Sequence, residues 1–546
     1  MEAFFPKKAW IDSKKQAEPI TATSNLSLPV QELFGNRFYS DQTTIEILSE
    51  FFLIATSPEK NIVEFDASKQ RLQYTSVFPE KRLLDAISSG AIEYKQEARI
   101  NLKLFAILLN SGNPNPYPGH KLQYDSITKN VMASTQILDK QKVGSTEDVI
   151  AILSNLFMGF QGIGANRDWC AQSFIPVTKN LLAGETIWKS TQAKRKNLTE
   201  FSVDSIKPFF ERSSRNFYSH GGELLYLQLI LLMKQTEQSI TEWLDSKPEF
   251  RRLKISKDEK NPEYLLQRID AGINRILTEK SPKMLGELAD YIDNSGAPFG
   301  LTQVSRAGWV PEAVWEEGYF FALDLVRIFE TEFDVIEWLK MLEMACVMQV
   351  FRTFLRNSAR YLGTATPLLA TVSTECQDRR LKLISKHSLK HCQLMIHSAI
   401  EEKAKDIKMA SEKGLRNMHQ KYGDKVFLKL AKSLQFVVPI KGDTEHFVMT
   451  KTMLTYLVIT TLKPNEKISF QSFLEEVRTK HGLVFDEKGF NEVNRVTNTR
   501  QEISNGMISP WLSKMLDECG FLIPLSDSLS LVVNSAGYSK EASVWH

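Results

Sequence analysis

Apolar residues recur at helical spacing along most of this chain, with short alternating stretches between. Structure is expected to begin near Leu26, at LSLPVQELFG. Asp41 then caps QTTIEILSEFFLIA, an amphipathic helix. Asn61–Val77 alternates apolar and polar positions and predicts a β-hairpin. Lys81–Asn110 returns to a helical pattern. Ser111–Gly119, with three prolines and two glycines, reads as a loop. Ser145 opens S-T-E-D before VIAILSNLF, a helix start. The run Leu224–Met233 (LLYLQLILLM) predicts a buried helix behind the Gly221-Gly222 turn. Lys247–Asn261 is a charged connector, and helical periodicity dominates from Pro262 to Leu362.

The last hundred residues carry a different pattern. Helices are expected at Thr450–Leu462, Ile468–His481 and Ile508–Cys519, followed by two short strands around Ser526–Ser528. That element order is the order of a winged helix-turn-helix. The fold class expected is therefore mainly α and multi-domain, with a small N-terminal β-hairpin element and a C-terminal winged-helix-like unit. The expected divisions are a loose arm over 1–24, an α+β domain over 25–120 and a helical domain with a Gly-rich turn over 121–246. A helical domain with a basic segment (262–433) and the winged-helix-like domain (437–546) follow.

Composition narrows the class. The chain has 546 residues, 42% hydrophobic and 24% charged, with a formal net charge of +3. That is a globular composition able to bury several cores. The longest apolar run falls far short of the ~20 residues a membrane span needs. The start MEAFFPKKAWIDSKK lacks a secretory leader pattern. Five cysteines without a CxxC pair give no disulfide framework, and a reducing cytoplasm is expected.

Signatures of catalysis are sparse. The chain has no GxxxxGK[ST], HExxH or GxSxG motif. The glycines Gly159, Gly162 and Gly164 read as a structural turn. Glu64, Asp66 and Lys69 lack the spacing of a nuclease core, and nothing brings Cys170, Asp168 and His220 together. Cys376, His387, His391, Cys392 and His397 could gather a metal, yet they lack a paired-Cys knuckle and read better as polar positions on a helix. No catalytic residue, metal or cofactor is assigned.

Binding signals are stronger. Arg379–Lys432 contains fourteen Lys/Arg and five Asp/Glu, a net of +9, which leaves −6 for the rest of the chain. Such a surface neutralises phosphate backbones. Arg379, Arg380, Lys382, Lys386 and Lys390 are the candidate contacts. A second row, Arg352, Arg356 and Arg360, is spaced by four and forms one helical stripe, suited to ion pairs between helices or to phosphates. Lys189, Lys194, Arg195 and Lys196 form a third cluster. In the winged-helix-like unit only Lys514 is basic on the third helix. Val437–His546 holds eleven cations and thirteen anions, so its use in reading DNA or in docking proteins is left open.

Three segments carry a resemblance. They are LPVQELFGNRFYSDQTTIEILSEFF (Leu28–Phe52), GIGANRDWCAQSFIPVTKNLLAGETIW (Gly162–Trp188) and FYSHGGELLYLQL (Phe217–Leu229), joined by the closing SDSLSLVVN (Ser526–Asn534). Together they resemble accessory subunits of bacterial multi-gene antiphage defence operons, the DruB family of the Druantia system. The resemblance implies a non-motor subunit in the bacterial cytoplasm, with partner subunits that include a separately encoded helicase. It transfers no catalytic residue. Read as structure, Trp169, Phe174 and Trp188 are packing anchors. Arg37, Arg167 and Glu223 are buried ion-pair members or partner contacts. The expected function is a non-catalytic subunit that binds nucleic acid, DNA among the candidates, or scaffolds a defence complex. A pure protein–protein scaffold and a metal-dependent hydrolase around His387–His397 or Asp66 are the alternatives.

Overall fold

The computed structural model describes residues 3–6, 27–99 (except 37, 41 and 65–70), 102, 174–188 (except 185), 210–212, 220–295, 302–407, 412–442, 444–501, 509–526 and 529–536. The chain is mainly helical with small sheets. Near the N-terminus β1 (Phe4–Phe5) pairs with β8 (Val310–Pro311), and Phe5 is fully buried. The start of the expected loose arm is thus held by an aromatic anchor. Helices α1 (Leu28–Phe34) and α2 (Thr44–Thr56) follow. Thr43, not Asp41, caps α2. Its hydroxyl and the Glu46 carboxylate each accept a backbone N–H, a reciprocal capping box.

The expected hairpin forms as β2 (Lys60–Glu64) and β3 (Arg71–Tyr74). It is part of a larger antiparallel sheet in the order β3-β2-β4-β7. Strand β4 (Gly90–Glu97) occupies part of the stretch expected to be helical, directly after α3 (Leu84–Ser89). The reason is legible in AIEYKQE. Ile92 and Tyr94 alternate with polar positions, a period of two that the surrounding helical pattern masked. Strand β7 (Thr302–Arg306) pairs with β4 along Glu93–Glu97, so chain segments two hundred residues apart share one sheet. A short pair, β5 (Thr186–Trp188) and β6 (Phe210–Arg212), stands separately.

Every residue of helix α4 (Gly221–Leu232) is buried, as its long, mostly apolar run demands. Gly222 sits in its first turn, where an added Cβ would lie 2.3 Å from the Phe51 nitrogen and 2.4 Å from the Ile47 carbonyl oxygen. Helix α4 therefore meets α2 backbone to backbone. Helices α8 (Trp315–Glu330) and the long α9 (Val335–Leu362) pack on it, and α5 (Glu237–Ser246), α6 (Pro262–Asn274) and α7 (Lys283–Ser295) add to the same core.

Beyond α9 the chain makes β9 (Leu369–Ala370) and β10 (Val372–Ser373), then the basic helix α10 (Arg379–Asp406), α11 (Glu412–Tyr422) and α12 (Asp424–Ser433). Strands β11 (Val437–Val438) and β12 (His446–Met449) close a three-stranded sheet, β10-β12-β11. The C-terminal unit runs α13 (Lys451–Thr461), β13 (Lys467–Ser469), α14 (Phe470–His481), β14 (Leu483–Val484), α15 (Glu487–Val496), α16 (Ser509–Glu518), β15 (Leu522–Ser526) and β16 (Leu529–Val533). Strand β13, unforeseen between the first two helices, joins the terminal hairpin in the order β13-β16-β15. Helix α15 was also unforeseen. It seats Phe490 and Val493 on Leu381 and Ile384 of α10, and β14 pairs in parallel with β9. Among the described residues no helix is long and apolar enough to cross a membrane.

Candidate nucleic-acid interface

Helix α10 is built to be anchored on one side and basic on the other. Asp378 caps it, accepting the Arg380 amide at 2.8 Å and its guanidinium at 2.9 Å. Leu381, Ile384, Leu389, Cys392, Ile396, Ala399 and Ile400 fall on one face of the helix and are buried. Two serines on the same face tie the helix to its neighbours. Ser385 donates to the Phe447 carbonyl at 3.0 Å, and Ser388 donates to the Leu368 carbonyl at 2.7 Å while accepting the Ala370 amide at 3.0 Å.

On the outer side Arg379, Lys382, Lys386 and Lys390 follow at spacings of three, four and four, one row along the helix. Among the described residues no carboxylate forms an ion pair with any of the four. Arg379 and Lys390 are exposed; Lys382 and Lys386 are half-buried. The first turn contains no acid. Cations there oppose the helix dipole, at a cost of about 0.3–1 kcal/mol each. The row's field reaches His387, whose pKa is lowered by burial and then by Lys390 and Lys386.

The second basic row has a different setting. Arg352, Arg356 and Arg360 line a cavity of about 760 Å³, together with Lys247, Arg478 and Lys480. Arg352 pairs at 2.9 Å with Asp324, a fully buried carboxylate that also takes Lys480 at 2.7 Å and the Tyr456 hydroxyl at 3.1 Å. Burial pushes the Asp324 carboxyl up, but Lys480 and Arg352 outweigh it and hold the group well below the usual carboxylate range. Burial drives His481, beside Arg352 at 3.4 Å, well below its ordinary value, so it is neutral at pH 7. The network continues through Gln349 and Gln228, which hydrogen-bond at 2.6 Å. Arg360 pairs with Glu317 at 2.7 Å and Glu316 at 3.4 Å, and Arg478 pairs with Glu492. Arg356 lies between them, over the Phe320 ring at 4.8 Å, with its pKa pulled down by burial to about 10. Carboxylates thus neutralise most cations of this cavity. It is an inter-helix ion-pair network, and the row on α10 is not part of its lining.

The remaining sequence-predicted positions separate. Lys514 lies on the outer face of α16, 3.8 Å from Glu518, a carboxylate that also takes Lys451 at 2.9 Å. That face carries Asp517 and Glu518 beside its one lysine and offers no basic surface. Arg380 is held by Asp378. Lys189, Lys194, Arg195, Lys196, Gly159–Gly164, Asp66, Lys69, Asp168, Trp169, Cys170, Arg37 and Arg167 fall outside the described residues. Phe174 is buried as expected, and Glu223 is buried beside His220 at 2.9 Å, accepting the Tyr94 hydroxyl.

Cys376, His387, His391 and Cys392, considered as a metal grouping and read instead as positions on a helix, do not converge. Cys392 is in the core with its thiol pKa raised by burial, His387 bonds Thr499 at 2.8 Å, and Cys376 contacts the Asp378 carbonyl. Their side chains diverge because Cys392 faces inward while His387 and His391 flank the helix. Sequence reading also missed the Asp324–Lys480–His481 network. Its signal was present: Gln228 interrupts LLYLQLILL and Asp324 interrupts YFFALDL, apolar runs in which a buried polar group requires partners.

No protein-family model, no curated protein and no solved structure matches this chain.

Proposed function

We propose that this chain is a non-catalytic, nucleic-acid-binding subunit of a bacterial antiphage defence complex. It would act in the cytoplasm beside a separately encoded helicase. The observation that carries the binding reading is the row Arg379, Lys382, Lys386 and Lys390, four cations on one helix face with no ion-pair partner among the described residues. Unpaired cations in the first turn of a helix, where the dipole already disfavours them, fit a polyanion that neutralises both charge and dipole. The contacts are with phosphates and carry no base specificity. The unit from Lys451 to Val533 has acidic outer residues on its last helix, α16, and serves here as a protein-docking element. The defence assignment rests on the sequence resemblance alone.

The direct experiment is duplex binding by fluorescence anisotropy at low salt. Replacing Arg379, Lys382, Lys386 and Lys390 with Glu is expected to weaken binding by at least about a hundredfold. Unchanged affinity would remove the α10 interface. If the protein binds no nucleic acid but its row captures an acidic partner subunit, the scaffold reading replaces this one.

A further inference from the structure

The second half of α10 carries a feature that the basic row does not use. The hairpin of α11 and α12 folds back so that His419 of α11 stacks on His397 of α10, ring centroids 3.7 Å apart and planes 20° apart. Asp424 opens α12, and its carboxylate lies 3.6 Å from the Nδ1 of His419. One candidate ligand atom from each of these three residues lies within 4.8 Å of the other two. His419 is 8% exposed and Asp424 9%. Both ring nitrogens of His419 and the Oδ1 of Asp424 are buried without a hydrogen-bond partner. Glu401 stands against the Nε2 of His397 at 3.2 Å. The backbone passes close: a Cβ on Gly423 would lie 2.9 Å from Ile400 and 3.4 Å from the His419 Nδ1.

Buried imidazole nitrogens are almost always bonded to something, because an unsatisfied buried polar atom is costly. Here a whole imidazole and a carboxylate oxygen converge without partners, next to a second imidazole. We propose that His397, His419 and Asp424 bind a divalent transition-metal ion of the zinc class. Two neutral imidazoles and one carboxylate are a donor set suited to Zn²⁺, Co²⁺ or Ni²⁺, not to Mg²⁺ or Ca²⁺, which take oxygen ligands. Bonds of about 2.0–2.2 Å set tetrahedral ligand atoms roughly 3.4 Å apart. In the metal-free protein the two rings stack nearly parallel, so binding an ion turns them until their in-plane lone pairs point at one centre. Glu401 either completes the coordination or orients His397 from outside, as carboxylates do for metal-bound imidazoles. The ion clamps the turn at Gly423 to α10 and thereby fixes the α11–α12 hairpin against the basic helix. The site is independent of the phosphate-binding reading.

The test uses the full chain, stripped with a chelator and titrated with Co²⁺. The expected result is one saturable site with the intense visible bands of a tetrahedral ion, displaced by Zn²⁺ and not by Mg²⁺, and a higher melting temperature in the loaded protein. His397→Gln alters a half-exposed residue and is expected to fold. It should lower Co²⁺ affinity at least a hundredfold while leaving the metal-free melting temperature unchanged. His419→Gln should do the same; if that variant fails to fold, the wild-type titration and His397→Gln decide. No saturable Co²⁺ or Zn²⁺ binding by the wild type, or undiminished binding by His397→Gln, would overturn the site.

Discussion

Asp324 illustrates how much one residue governs here. Its carboxylate is the shared partner of Arg352 and Lys480, and all three are buried. Asp324→Asn leaves two cations without their counter-charge. It is expected to destabilise the fold by about 3–5 kcal/mol in urea unfolding, the range for breaking a buried pair from one side. Glu476 is the opposite case. Burial, with Glu466 nearby, pushes its carboxyl up to about 7 from 4.5. The folded state therefore favours the neutral form. That contribution is complete below about pH 4.5 and is lost as the pH rises through 7. Glu476→Gln should be more stable than wild type at pH 8, by up to about 3 kcal/mol at 1.4 kcal/mol per tenfold change, with the gap closed by pH 4. A Gln variant no more stable at pH 8 than at pH 4, relative to wild type, would contradict the buried-carboxyl account. At this scale the cations were legible in the sequence, because charge and spacing are local properties. Whether each was paired was not, since Asp324 and Lys480 stand more than a hundred positions apart in the chain.

At the scale of elements, the helices were the most legible part. The apolar period of α2 and the long, mostly apolar run of α4 announced both. The Gly221-Gly222 pair read as a turn before α4, yet both residues belong to its first turn. Gly222 is needed because α2 passes directly over it. Gly222→Ala should cost about 3 kcal/mol or more by thermal unfolding, since backbone atoms on two helices have to separate. A loss under about 1 kcal/mol, as for an exposed helical position, would contradict that packing. Strands β4 and β13 were missed for a shared reason. Each borders a helix, and each is stabilised by a partner strand that arrives from elsewhere in the chain.

At the scale of the molecule, the sequence's +9 segment and −6 remainder become a spatial division. On the long helix α9 Arg352 is drawn inward to Asp324 and Arg360 is matched with Glu317, while Arg379, Lys382, Lys386 and Lys390 of α10 lie on the outer side with no ion pair among the described residues. The three basic clusters expected from the sequence do not share one cavity: the second lines it, the first lies apart, and the third is outside the described residues. Phosphate binding by the α10 row is the central claim. The measurement that tests it most directly is the salt dependence of duplex affinity, for the wild type and for a variant with Arg379, Lys382, Lys386 and Lys390 changed to Ala. Each phosphate contact adds about 0.9 to the slope of log affinity against log salt, so the variant's slope should be shallower by roughly 3.6. Equal slopes in the two proteins, or no wild-type binding at low salt, would contradict the account.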